Sequence, residues 1–548
     1  MRLRNHLLAL GALLAVLVTV TAPAQTGNLT VTSPAGQFRG TASGSLHVFR
    51  GIPYAQPPVG PLRWRPPQPL ARGAQIRDAA EFGPACIQPV AQVPNIYSGA
   101  PLPMSEDCLT LNIWAPADAQ GAPVFVWIHG GSLWTGSGRE ALYDGAQLAQ
   151  RGLIVVTINY RLGALGYLAH PQLSAESPQG VSGNYGLLDQ IEALKWVKQN
   201  IGAFGGNAAN VTVAGESAGG LSVLYLMTSP QARGLFAKAI AESSYMISMP
   251  SLKVSAHGMV SGEQSGTALA AALHAADIAA LRAMDAQQLN NAAAGAGFGP
   301  WGIVDDRILP QQMVSAFDRG DQARVPVLIG FNSGEIRSLR VLAPPVPASA
   351  AEYEKVIRDR YAELAAAFLR LYPSSAMQES VLATTRDGLY GWTAERVARR
   401  QAARGLPAFL YLFDHGYPAM DQADLHAFHA SELPYVFGTA DRTPPLWPKI
   451  PAVPQERALS DAMIDYWASF ARDAKPRSAN APNWPAFGSV GAYMHFTTTP
   501  QPARQLMPGM YSLNEAVVCR RLVEGDLAWN WNVGLAAPKL PARSAGCE

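Results

Sequence analysis

The chain predicts an α/β fold, in which a large, mixed but mostly parallel central sheet carries helices on both faces and helical insertions over one edge. Three observations predict it. Continuous apolar runs recur at Leu111–Trp114, Val124–Ile128, Leu153–Ile158 and Val211–Ala214, and strands without polar alternation are those covered on both faces. Between them lie stretches of helical spacing, such as Leu187, Ile191, Leu194, Val197 and Ile201, which present one apolar stripe. The runs ending at Ile128, Ile158 and Ala214 are followed by His129, Asn159 and Gly215, polar or glycine residues as at a sheet edge where loops gather.

Taken in chain order, the first element is not part of the fold. Met1–His6 carries Arg2 and Arg4, Leu7–Val20 is an almost wholly apolar run of 14 residues, and Ala22 and Ala24 are small. This order describes a cleavable secretory signal over residues 1–24, cut after Ala24. Fourteen helical residues span about 21 Å, short of the hydrocarbon core of about 30 Å, so the mature chain is expected to be soluble and exported, secreted or periplasmic, without stable membrane insertion. Leu29–Val31 and Leu46–Val48, set between glycine and proline turns, predict an N-terminal hairpin layer. Further strands are expected at 325–331 and 408–413, and the Ala-rich stretches 255–295, 352–372 and 378–404 read as helices inserted above the sheet. No internal repeat or composition break divides residues 25–548, and Ala343–Pro347 is too short to be a linker. One domain with insertions is expected.

Composition excludes several classes. Hydrophobic residues make up 48% and charged residues 15%, with 50 glycines and 43 prolines, so the chain is neither disordered, collagen-like nor a coiled coil. Its net charge of +2 comes from 42 basic and 40 acidic side chains with no basic run, which excludes nucleic acid as a partner. The four cysteines, Cys86, Cys108, Cys519 and Cys547, read as disulfides in an exported chain, and three pairings are possible. Proximity favours Cys86–Cys108 and Cys519–Cys547, each closure contributing about 3 kcal/mol on the chain-entropy view. Neither pair has the short spacing of a zinc site.

Two motifs carry chemistry. Gly215-Glu216-Ser217-Ala218-Gly219-Gly220 follows the run at 211–214 and precedes the apolar helical stretch Leu221–Met227. G-x-S-x-G is weak alone in a glycine-rich chain, but strand, sharp turn and helix together describe a nucleophile elbow, with the Ser217 hydroxyl raised above the sheet. The helix N-terminus adds a positive dipole end beside it. His129-Gly130-Gly131-Ser132 follows Val124–Ile128, and backbone N–H groups in such a loop can converge on one oxygen with the Ala218 N–H as a further donor, forming an oxyanion hole.

With these motifs in view, the chain resembles the type-B carboxylesterase/cholinesterase family of α/β-hydrolases over nearly its whole mature length. The resemblance rests on Phe49–Ala55, Glu106–Asn112, the 129–137 loop, Asn159–Gly163, Gly183–Asp189, the 215–220 elbow and His429-Ala-Ser-Glu-Leu-Pro434. It implies an acyl-serine mechanism with a glutamate as the acid, a late histidine, and a disulfide matching Cys86–Cys108. It also implies oxyanion donors at Gly131, Ser132 and Ala218. Ser132 stands where the family commonly has a third glycine. Hydrolysis of an ester through an acyl-serine needs neither metal nor cofactor.

Chain order in this fold is serine, acid, histidine. His429 matches the family's pattern as the base, with His426 its rival. Glu335 follows the strand at 325–331 and is the acid expected, with Asp305 and Asp414 as alternatives; here Gly334-Glu335-Ile336 replaces the family's usual Asp-Glu-Gly. Glu216 and Glu432 have two readings, as holders of water beneath the site or as structural hydrogen-bonding groups. Trp134, Glu216, Tyr245, Met246, Trp301 and Phe331 are candidates to line the substrate pocket. Tyr97 is the only aromatic residue between Cys86 and Cys108. Cholinesterases hold a quaternary ammonium there on a tryptophan, so a neutral aryl or alkyl carboxylic ester is the expected small-molecule partner. A lipase, an amide- or carbamate-hydrolysing enzyme, and a non-catalytic adhesion protein are the competing readings.

Overall fold

The computed structural model describes residues 29–547 except 74, 91, 92, 531 and 532, so the signal segment expected at 1–24 lies outside the described residues. A sheet of 13 strands runs through the molecule. Its strands are β1 (Leu29–Ser33), β2 (Gly36–Ser43), β3 (Leu46–Pro53), β4 (Ile76–Asp78), β5 (Thr110–Pro116), β6 (Ala122–Ile128), β7 (Ile154–Ile158), β8 (Gly206–Glu216), β9 (Lys238–Glu242), β10 (Val327–Asn332), β11 (Ala408–Phe413), β12 (Ala492–Phe496) and β13 (Gln501–Arg504). The spatial order is β1-β2-β3-β5-β7-β6-β8-β9-β10-β11-β12-β13, with β4 beside β2. From β7 to β12 every neighbour is parallel, while β1, β2, β3 and β5 join antiparallel at one edge and β13 at the other. The mixed, mostly parallel sheet is therefore present. The expected N-terminal hairpin is a three-strand meander, whose middle strand is hidden in the sequence by its glycines and polar residues.

The two-sided burial expected of the central strands is resolved residue by residue. Val124, Val126, Ile128, Ile154, Val156, Val213, Val327 and Ile329 pack on one face. Their neighbours Phe125, Trp127, Val155, Ala214, Leu328, Phe409 and Tyr411 pack on the other. Side chains alternate along a strand, so a strand apolar at every position needs helices on both sides. The first face receives α1 (Tyr185–Asn200) through Leu187, Ile191 and Leu194, α2 (Ala218–Thr228) through Leu221 and Leu224, and α3 (Trp392–Ala402) through Val397. The second receives α4 (Pro454–Asp473) through Leu459, Met463, Trp467 and Phe470.

The Ala-rich stretch 255–295 is three helices, Gly262–Ala272, Ile278–Ala283 and Ala286–Gly295, because Ser261, Asp277 and Asp285 each accept a backbone N–H at an N-cap. The stretch 378–404 continues as Met377–Arg386, a π-helical turn at Asp387–Gly391 and α3. Both disulfides pair as proximity suggested, Cys86 with Cys108 and Cys519 with Cys547. A buried ion pair ties α1 to the segment after β7: Asp189 on α1 accepts from Arg161 Nε at 2.8 Å, Nη2 at 2.7 Å and the Arg161 backbone N–H at 3.0 Å. Asp189→Ala leaves that guanidinium buried and unpartnered and is expected to cost about 3–5 kcal/mol of stability, read as a lowered unfolding midpoint in guanidinium chloride at pH 7.

Candidate active site

Strand β8 ends at Glu216 and α2 begins at Ala218, leaving Ser217 as the single residue of a bend with φ 56° and ψ −121°. That conformation costs a non-glycine residue of order 1–3 kcal/mol and persists only where its surroundings enforce it. The enforcement is visible. The Ser217 N–H donates to the Glu242 carbonyl at 3.0 Å and Leu221 N–H to the Ser217 carbonyl at 2.8 Å. A side chain at Gly219 would strike the carbonyl oxygen of Ile128 at the end of β6, so glycine lets α2 seat against that strand. The elbow expected from the sequence is formed.

The loop after β6 lies against the same bend. A Cβ on Gly130 would stand 2.9 Å from Glu216 Oε2 and 3.1 Å from Ser217 Cβ, so this close approach also needs glycine. Gly131, Ser132 and Leu133 follow with φ of 99°, 57° and 60°, a left-handed run that points successive N–H groups the same way. Among the described residues, the N–H groups of Gly131, Ser132 and Ala218 are bonded to no protein acceptor. His129 is a structural anchor. It is buried and stacked on Tyr160 at 4.5 Å, and burial holds its pKa down to about 4, so it stays neutral.

His429 and Glu335 come together from different elements. Glu335 opens a short helix after β10, is fully buried, and its Oε1 accepts the Asn332 N–H at 2.8 Å. Its Oε2 is hydrogen-bonded to His429 Nδ1. The other ring nitrogen, Nε2, lies 3.1 Å from Glu216 Oε1 as an ionic approach rather than a hydrogen bond. Among the described residues the Ser217 hydroxyl has no hydrogen-bonding partner, so His429 and Ser217 are near neighbours through Glu216 but not hydrogen-bonded. The rivals are occupied elsewhere. Asp414 accepts from His426 at 3.0 Å and His495 at 2.9 Å, and Asp305 is enclosed by the N–H groups of Arg307, Ile308 and Leu309.

Two more carboxyls are buried with Glu216, Glu432 among those the sequence marked and Glu242 not. Glu242, opposite Glu216 in the pairing of β8 and β9, is buried with Oε1 on Trp467 Nε1 at 2.9 Å. Glu432 is buried with Oε2 on Asn332 Nδ2 at 2.5 Å. Glu216 Oε1, Glu242 Oε2 and Glu432 Oε1 make no hydrogen bond to the protein. Burial pushes Glu216 up to about 7, with His429 opposing and Glu335 and Glu140 adding to the rise; burial, opposed by Trp467, pushes Glu242 up to about 8. For His429, burial is the largest influence and works against its charge, but Glu216 and Glu335 outweigh it and raise the imidazole to about 9. No periodicity or motif marks Glu242, since a strand residue is read as core until its neighbours are known.

Among the pocket candidates, Phe331 and Met246 have no exposed surface and sit in the hydrophobic cluster between the sheet and its helices. Tyr245 keeps a small exposed fraction and meets Tyr390 edge-on at 5.9 Å; Tyr390 in turn lies 5.5 Å from His429. Trp134 is half-buried and packs edge-on to Phe298 at 6.2 Å, and Trp301 is half-buried against the core. Among the described residues no group of three or more His, Cys, Asp or Glu side chains could hold a metal ion.

A mostly parallel sheet with a strained serine between strand and helix, and free N–H groups beside it, defines an α/β-hydrolase. The chain belongs to the carboxylesterase family, whose family model matches residues 27–512. It is 37% identical over 472 residues to the fumonisin B1 esterase of Sphingopyxis macrogoltabida, covering 83% of this chain and 84% of that protein. It is 36% identical over 482 residues to the para-nitrobenzyl esterase of Bacillus subtilis, covering 83% and 92%. Among solved structures, a thermophilic PNB esterase matches with TM-score 0.75 at 31% identity over 89% of this chain and all of the other. A carboxylesterase of Geobacillus stearothermophilus matches with TM-score 0.73 at 31% identity over 88% and 99%. The chain is accordingly a serine carboxylesterase.

The Glu216 carboxylate favours the imidazolium form of His429, so its removal lowers the histidine's pKa. Glu216→Gln is therefore expected to lower the His429 pKa by about one pH unit, which an NMR titration of the imidazole checks.

Proposed function

We propose that the enzyme hydrolyses neutral aryl and alkyl carboxylic esters through an acyl-serine, with Ser217 as nucleophile, His429 as base and Glu335 as acid. The observation that carries this reading is the position of His429, joined at Nδ1 to the buried Glu335 and presenting Nε2 to the bend that holds Ser217. As Ser217 Oγ attacks the ester carbonyl, Nε2 takes its proton, and the new oxyanion is received by the N–H groups of Gly131, Ser132 and Ala218. The carbon–oxygen bond to the alcohol then breaks, and Nε2 returns the proton to the leaving alkoxide. Water, deprotonated by the same nitrogen, attacks the acyl-serine, and the proton passes back to Ser217 as the acid departs. Glu335 keeps the tautomer with a proton on Nδ1 and offsets the imidazolium charge. In the resting site Nε2 leans toward Glu216, and catalytic hydrogen bonds of this kind tighten when substrate binds.

A neutral substrate is supported by the Cys86–Cys108 loop, whose sequence holds no tryptophan for a quaternary ammonium and whose Tyr97 hydroxyl is bonded to Ser338 and His429. Export is supported by the two disulfides; among the described residues no helix is long and apolar enough to cross a membrane. A single domain over 25–548 is supported by one sheet whose strands run from Leu29 to Arg504.

Ser217→Ala is expected to lower kcat on p-nitrophenyl acetate about 10⁴-fold or more with an unchanged circular-dichroism spectrum, and a phosphonate inhibitor should add covalently to Ser217. Glu335→Gln should cripple turnover while Asp414→Asn leaves it; the reverse pattern would move the acid. Comparing short and long p-nitrophenyl esters, a triglyceride emulsion and a peptide amide separates an esterase from a lipase or an amidase.

A further inference from the structure

The backbone that carries His429 is irregular, with His426 and Ala430 in the left-handed region at φ 44° and 67°, so its position depends on what holds its carbonyl groups. Three consecutive carbonyls are held by side chains or backbone from other segments. The Gly334 N–H donates to Ala427 O at 2.8 Å and Asn332 Nδ2 to Phe428 O at 2.8 Å, both from the segment that bears Glu335. The third, His429 O, is held at 3.0 Å by the Tyr97 hydroxyl, its only hydrogen-bond donor among the described residues. The same phenol hydroxyl lies 2.7 Å from the Ser338 hydroxyl, which in turn donates to the Glu335 carbonyl at 3.4 Å, so His429 O and Ser338 Oγ share one phenol proton.

Ser338 ends the short helix that Glu335 begins. Tyr97 thus ties the histidine segment to the glutamate helix. It does so from a third element, the loop closed by Cys86–Cys108. The phenol ring is braced by Phe428 at 6.3 Å and Trp447 at 6.1 Å, and its backbone N–H is held by Asn95 Oδ1 at 2.9 Å.

We propose that Tyr97 is a positioning residue for His429, its hydroxyl fixing the carbonyl so that the ring holds Glu335 at Nδ1 and turns Nε2 toward the bend at Glu216 and Ser217. The proposal rests on the reading of Ser217, His429 and Glu335 as the reacting groups. Tyr97→Phe keeps the ring packing and removes only the donor. Measured per active site titrated with a phosphonate, so that misfolded protein is not counted, the variant is expected to lose about 5–10-fold in kcat with KM within about twofold. Its acid limb should move to lower pH, because a looser ring feels the carboxylates of Glu335 and Glu216 less. Ser338→Ala, which removes the group orienting the phenol, should change both quantities in the same direction by a smaller factor and serves as an independent variant. A Tyr97→Phe enzyme with the parent's kcat and acid limb would overturn the proposal, as would a loss confined to KM or to thermal stability. If His429→Ala kept parental turnover, the underlying reading would fall as well; if His429→Ala is inactive and Tyr97→Phe behaves as the parent, only the positioning role falls.

Discussion

The close seating of α2 on the end of β6 governs the rest of the site. The helix must approach until the Gly219 backbone meets the Ile128 carbonyl, and this contact turns the chain so sharply that Ser217 is left at φ 56°. A more relaxed bend would let the serine lie back along the helix and would separate Ala218 from the Gly131 and Ser132 N–H groups. The strain is sustained by the two-sided core of the parallel strands, where each fully buried Val, Leu, Ile or Phe contributes about 1.5–3 kcal/mol. Local conformational cost and global burial are therefore coupled: the sheet supplies the stability that holds the bend.

Around that bend the protein places more carboxyl groups than an acyl transfer consumes. Glu335 meets the imidazole directly, whereas Glu216, Glu242 and Glu432 are buried with one oxygen each unengaged by protein. Burial raises all three, which disfavours three full negative charges side by side. At His429, Glu216 from this group and the hydrogen-bonded Glu335 outweigh burial, which is why its pKa rises. The charge balance of the site is thus a property of several groups from β8, β9 and the segment after β11.

Much of this was legible in the residues. The apolar runs marked the buried strands because a strand between two helical layers has no solvent-facing position to spend on polar residues. The bend at 215–220 and the loop at 129–132 were visible because steric limits on backbone approach admit few residues other than glycine there. Proximity along the chain sufficed for the disulfides, whose loops are short. The residues that line the pocket are not legible in this way, since a large apolar side chain such as Phe331 or Met246 reads alike whether it faces a cavity or the core, and only the direction of its Cβ separates the two.

The sequence by itself determined the elements and the chemistry available: an α/β fold, a serine on a tight bend, a donor loop, and a histidine and a glutamate far apart in the chain. Those features are local, and short-range sterics and burial periodicity encode them. Only the tertiary structure decided which groups meet. It joined His429 to Glu335 rather than to Asp414, set Glu216 against the second ring nitrogen, added Glu242 to the buried carboxyls, and brought Tyr97 from a disulfide-closed loop onto the histidine's carbonyl. These contacts link residues separated by tens to hundreds of positions, and their distances follow from how the sheet's edge gathers its loops, which no local pattern records.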